Sequence, residues 1–484
     1  MSCLAFRRCA AAAFVLVFGC VPTEFTFVGE GGAGGAGAAS AGGMGAGGAG
    51  GGVSLTCGDG IQDDTELCDE GEQNRDDFDD LSYATQRGTE RGCSTSCEPI
   101  VAWSWNYSVE SEASAVFGLA VTADKVYAGG VIDPDPLDLI NVHYGGTRLY
   151  VELDPETGEE LNLVAQNDAG DANSIFGIRV RDADSVWVLE NRHHEAAPAS
   201  LGSYLAVWSD GAEVPDTRSM GYVGEYEGSF AYLGYPGVSD PRVHMIAARD
   251  AGIVRIARGD DLGSLEIDEG LTGFGGQSGP GAITPRLAGG SYAVWRGRLR
   301  LYSDEMVQQL EVDLRDSVAG SEVVMVTGAC TRPDGSAALS AWVRYPTSGE
   351  ITAALLVANE FEGVVFVDEW DGPAAGVDRA NAIACGPDGS IVVAGEESVL
   401  DDPSFTSDVY SRAFVRKYVT SGVGEPPALT WHRTHQSPIT NSSETVGSND
   451  AYAVALGPDG AVYVAGREMT SQNGASAWVR RYAP

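Results

Sequence analysis

Two stretches near the end of the chain are close copies of one another. AIACGPDGSIVVAGE (382–396) and AVALGPDGAVYVAGR (453–467) agree at 9 of 15 positions and lie 71 residues apart. Self-similarity at such a period means that one small unit is stacked several times, because a single unit cannot bury its own apolar face. Looser copies occur as FGLAVTADKVYAGG (117–130), FGIRVRDADSVWVLE (176–190) and TGACTRPDGSAALSA (327–341). Each places a short apolar run, a Pro-Asp-Gly or Asp-containing turn and a second β-branched or aromatic run in succession. That order predicts a hairpin, since the turn residues supply the backbone angles a reversal needs.

A second unit follows the hairpin: TRLYVELDPETG (147–158), SRAFVRKYVTSG (411–422) and ASAWVRRYAP (475–484). A third, ALTWHRT (428–434), completes a set of four strands. Four antiparallel strands recurring every 54 to 71 residues are the pattern of β-propeller blades. The last copy stops after its third strand, and VAWSWNY (101–107) looks like the missing fourth. The N-terminal strand is therefore expected to close the final blade and leave no free sheet edge. Between 240 and 325, RVHMIAARDAGIVRIARG and SYAVWRGRLRLY are strand-like but lack the Gly-Pro-Asp-Gly turn. Counting both gives an all-β fold of about seven four-stranded blades across residues 99–484.

The N-terminus has the form of an export signal: Arg7 and Arg8, then an apolar run from Ala10 to Phe18. Val17-Phe18-Gly19-Cys20 resembles the lipobox of bacterial lipoproteins. That resemblance implies a signal peptide over 1–19 and lipidation of Cys20, with palmitate among the acyl chains. Two or three acyl chains hold a protein on a membrane without help from charge. Val21 is not the aspartate of an inner-membrane retention signal, so the resemblance favours the outer membrane, at the cell surface. Residues 31–52 contain 13 Gly and 7 Ala among 22, which predicts a disordered tether within the lipid-anchored linker 20–52. As a Gly-rich coil it would span about 25 Å.

Residues 53–98 are acidic and hold Cys57, Cys68, Cys93 and Cys97 with little apolar content. Such a segment cannot build a core, and in an oxidising compartment its cysteines read as two disulfides with three possible pairings. The pattern C-G-D-G, E-x-C-D-x-G and G-C-x-x-x-C resembles the cysteine-rich repeat of myxobacterial surface proteins. Residues 99–484 likewise resemble the β-propeller repeat lipoproteins of myxobacteria. Cys330 and Cys385 sit at nearly equivalent places in neighbouring copies, so their strands are expected side by side near the ring axis. They read first as two buried thiols and second as a disulfide.

A search for chemistry finds little. The six histidines are scattered: His193 and His194 in a polar loop, His143 after DPDPLD, His244 within a strand, and His432 and His435 about a strand end. No G-x-S-x-G, H-E-x-x-H or phosphate-binding G-K-[ST] occurs. Asp133, Asp135 and Asp138 form a loose acidic loop that makes calcium the single cofactor worth testing, against a Pro-stiffened turn; otherwise none is expected. Trp103, Trp105, Trp187, Trp342 and Trp478 fall on strands and are expected between blades rather than on a sugar platform. A net charge of −39 argues against nucleic acid and anionic lipid headgroups. The resulting expectation is a monomeric, non-catalytic envelope scaffold that recognises protein or glycan. Its alternatives are a propeller-based polysaccharide lyase or hydrolase, and a structural envelope protein. The enzyme reading gains if two or more of His143, His193, His194, His244 and His432 converge with carboxylates at the channel mouth.

Overall fold

The computed structural model describes residues 57, 68, 74, 78–79, 92–97, 99–108, 113–133, 146–166 and 173–193, the strands between 201 and 271, and most of 281–483. Apart from a single helical turn, Leu314–Asp316, the regular elements among the described residues are strands. These form seven sheets: 113–166, 173–223, 231–271, 281–313, 323–370, 379–435, and 449–482 joined by Val101–Tyr107. Where side chains are described, the first strand of each sheet lies against the first strand of its neighbour, and the last sheet returns to the first. The arrangement is a β-propeller.

Among the described residues six of these sheets have packed faces, so the blade count is six rather than the expected seven or so; of the 231–271 sheet only the strand pairing is described. Among the described residues five apolar cores lie between adjacent blades. The core between the last blade and the first joins Trp103, Trp105, Leu149, Val151, Tyr463 and Val479. Trp103, Trp105, Trp187 and Trp478 are buried as expected, whereas Trp342 is only half-buried.

Hairpin geometry explains why the repeat reads as it does. In the turns 386–390 and 457–461 the first N–H donates to the carbonyl of the fifth residue (Gly386 to Ser390, 2.8 Å; Gly457 to Ala461, 2.9 Å), and the fourth residue adopts positive φ (Gly389 +84°, Gly460 +83°). Only glycine takes that conformation freely. Residues 332–336 repeat the pattern, and so do 286–290, Arg-Leu-Ala-Gly-Gly, where Gly289 has φ +85°. The blade at 281–313 thus makes the same turn without Pro-Asp-Gly, which is why its sequence looked divergent.

A second recurring device is a bulge in the innermost strand. The register slips between Val116 and Gly118, Ile175 and Gly177, Val326 and Gly328, Ala380 and Ala382, and Ala451 and Ala453. The extra residues, Phe117, Phe176, Thr327, Asn381 and Tyr452, are all half-buried and each touches a neighbouring blade. Phe117 packs on Phe176 (ring centroids 5.4 Å) and on Tyr452 (5.0 Å), while the Asn381 amide donates to the Ala451 carbonyl at 3.1 Å. The Thr327 hydroxyl donates to the Ala380 carbonyl. The bulge also pushes the inner-strand carbonyl toward its partner strand: a Cβ at Gly395 or Gly466 would lie 1.8 Å from the Arg379 or Asp450 oxygen. The Ala-Gly pair of the repeat is the imprint of that close approach.

Val101–Tyr107 is the outermost strand of the last blade, antiparallel to Gly474–Tyr482, as the sequence predicts. Cys57 pairs with Cys97 and Cys68 with Cys93, resolving the three possible pairings. Phe78–Asp79 from the same segment adds in parallel to the outer strand Ala428–His435, at Arg433 and Thr434. Ile100 donates to the Gly92 carbonyl and accepts from Ala483, so the cysteine-rich segment is stitched along the closing seam. Cys330 and Cys385 form a disulfide between the innermost strands of adjacent blades. This corrects the reading of two buried thiols: the equivalent positions bring their Cα atoms to 5.6 Å, within the reach of a disulfide.

Candidate functional site

Strands 379–435 and 449–482 gather charged groups at one end. The residues following the Ala-Gly pair in the two closest repeats are Glu396 and Arg467, opposite in sign and equivalent in position. Each is matched by a charge near the start of its own inner strand. Arg379 Nη1 lies 2.9 Å from Glu396 Oε1, and Arg467 Nη2 and Nε lie 2.5 and 3.1 Å from Asp450 Oδ2. The Tyr452 hydroxyl donates to the same Asp450 oxygen at 2.9 Å, and Ser411 Oγ to the other at 3.3 Å.

Burial and the neighbouring Asp450 carboxylate push the Glu396 carboxyl well above the usual carboxylate range, and Arg379 only partly opposes this. Burial and the same Asp450 charge push the Tyr452 hydroxyl up. Two neighbouring carboxylates, one with a raised affinity for its proton, beside a tyrosine hydroxyl are the groups general acid–base chemistry uses. Asp450, however, already accepts from Arg467, Tyr452 and Ser411, which leaves it little capacity for a further donor.

Two predicted histidines join this end. His435 Nε2 is 3.1 Å from Glu468 Oε2 and its ring meets Trp478 edge-on, with centroids 5.1 Å apart. His432 Nε2 is 3.5 Å from Glu397 Oε2, and Arg412 Nε is 2.7 Å from Glu397 Oε1. His193 and His244 lie in strands whose side chains are outside the described residues, as are His143 and His194 altogether. Cys20, Asp135 and Asp138 also lie outside the described residues, and Asp133 is described only as the end of the strand Val126–Asp133. Among the described residues no group of three or more His, Cys, Asp or Glu side chains is placed to hold a metal.

The opposite end of the blades carries a cleft of about 510 Å³, framed by the turns at 286–288, 332–336 and 359–362 and the segment 425–427. Arg286 is buried in its wall, paired with Glu360, and donates to Gln309 Oε1 at 2.6 Å. Arg332, also buried, reaches Asp334 Oδ2 at 3.1 Å and Ser336 Oγ at 3.0 Å. Neither this cleft nor the Glu396–Asp450 network was anticipated from sequence. For the network the signal was present in the mismatched last letters of the two best repeats, Glu396 and Arg467. For the cleft there was none, because it is assembled from three blades.

No protein-family model and no curated protein matches the chain. Similar solved structures include a lectin from Burkholderia pseudomallei (12% identity, TM-score 0.43, covering 78% of this chain and 99% of that one). They also include an ulvan lyase, a polysaccharide lyase (10%, 0.41, 77% and 95%), and regucalcin, a calcium-binding protein from Agrobacterium tumefaciens (13%, 0.35, 62% and 87%). The fold of this chain rests on its own strand pairing.

Proposed function

We propose that the chain is exported, lipidated at Cys20 and held on the outer membrane at the cell surface, where its propeller serves as a rigid, non-catalytic scaffold recognising protein or glycan. The observation that carries the non-catalytic part is the engagement of Asp450 by Arg467, Tyr452 and Ser411. A catalytic carboxylate must offer a lone pair or a proton to a substrate, and this one is committed to its own fold. A closed ring with covalently tied inner strands suits recognition, since loops held on a stiff frame lose little freedom on binding.

A second reading, a polysaccharide lyase or hydrolase, draws on one observation: the raised Glu396 carboxyl beside Asp450. Cross-linking on intact cells, followed by purification and mass spectrometry, separates the two. A reproducible envelope protein or glycan supports the scaffold. Depolymerisation of an added polysaccharide that disappears in Glu396→Gln overturns it. In the same cells Cys20→Ser should move the protein from the membrane to the soluble fraction, and its retention there would remove the lipid anchor from the proposal.

A further inference from the structure

Phe361 is the most exposed large apolar side chain among the described residues, at 84%. Its turn does not ask for it. Asn359 Oδ1 accepts the N–H groups of Phe361 (3.0 Å) and Glu362 (2.7 Å), and Gly363 takes positive φ (+78°), so the backbone is settled by residues on either side. Any polar residue would serve at 361. Leu287, 40% exposed, occupies the turn position filled by proline in the 332–336, 386–390 and 457–461 turns. Val365 is 46% exposed. All three line the cleft.

Both arginines of that cleft are paired with carboxylates. Arg286 is held by Glu360, Gln309 and the Tyr302 carbonyl, and Arg332 by Asp334 and Ser336. The lining carries two arginines against Asp334, Glu360, Glu362 and Glu425, a balance of −2. An anionic ligand would face repulsion from the surplus of carboxylates. A neutral ligand with many hydroxyls meets a different surface: carboxylate oxygens that accept from hydroxyls, and the aromatic side chain of Phe361 for apolar C–H groups. The volume is within the range, about 300–1,000 Å³, in which clefts enclose most of a small ligand.

We propose that this cleft, with Phe361 as its stacking platform, binds a neutral oligosaccharide. The inference deepens the recognition reading by naming a site and a ligand class. The test uses the full chain, purified in mild detergent, on an array of neutral and of uronate- or sulfate-bearing oligosaccharides, followed by calorimetry with the best neutral binder. Retention of a neutral sugar is expected, weakened at least tenfold by Phe361→Ala with an unchanged melting temperature, and kept by Phe361→Tyr. Exclusive retention of acidic sugars overturns the ligand class. Neutral-sugar binding that is unchanged in Phe361→Ala overturns the site while leaving the scaffold reading intact. Failure of every sugar to bind overturns the inference, and the cross-linking experiment then decides the scaffold reading on protein partners alone.

Discussion

The buried hydroxyl of Ser114 accepts the backbone N–H of Ala477 at 2.8 Å, across 363 residues of sequence, and donates to the Tyr107 carbonyl at 2.9 Å. One side chain at the start of the first blade thereby binds both strands of the closing seam.

Ser114→Ala should leave a buried N–H without its acceptor, at a cost of about 1–3 kcal/mol. Denaturant unfolding would show this as a lower midpoint with an unchanged slope. An unaltered midpoint would mean that the seam relaxes to satisfy Ala477 otherwise.

Cys330→Ala with Cys385→Ala should destabilise the ring by about 4 kcal/mol on the loop-entropy model for a separation of 55 residues. Peptide mapping without reductant should recover the two cysteines in one cross-linked fragment. Recovery of two alkylated, separate peptides would restore the thiol reading.

Because the folded Glu396 carboxyl lies above its unfolded value, its contribution is fully present below about pH 4.3 and is lost as pH rises through the folded value. Glu396→Gln should therefore match the parent protein near pH 4 and exceed it at neutral and higher pH. A relief of about 1 kcal/mol moves the midpoint by roughly 2–4 °C in domains of 150–250 residues, and by less in a larger one. Thermal melts at pH 4 and pH 8 check this, and a variant less stable at pH 8 would contradict it.

Removing residues 1–107 should expose the edge of Gly474–Tyr482 and the aromatic surface that Trp103 covers on Tyr463. Size-exclusion chromatography should then find aggregate or expanded chain. A compact monomer would show that the ring holds without its closing strand.

Much of this architecture was legible in local signals. Gly386 to Ser390 and Gly457 to Ala461 announce their hairpins because turn chemistry is read from a few adjacent residues. The fourth-strand role of Val101–Tyr107 was visible because the last repeat ends one strand short. The 286–290 turn was obscured because Gly289 meets the same backbone demand without the proline and aspartate beside it. The inner-strand bulges at Phe117, Asn381 and Tyr452 were hidden because a register slip belongs to a pair of strands and to neither sequence alone. The Cys330–Cys385 bond was misjudged because two equivalent positions in adjacent repeats fix proximity, while bonding depends on how the two Cβ vectors face. The cleft around Phe361 draws on three blades and has no linear trace.

The closing strand has a consequence in time. Val101–Tyr107 is made well before its hydrogen-bonding partner, Gly474–Tyr482, with the other blades between them in the chain. Its ladder cannot form until the blades between have been synthesised, and non-local pairings of this kind fold slowly. Until then the facing edges of both strands are unpaired. Blades 323–370 and 379–435, by contrast, can pack and join their cysteines much earlier. The final, latest event is the one that converts an open arc into a ring.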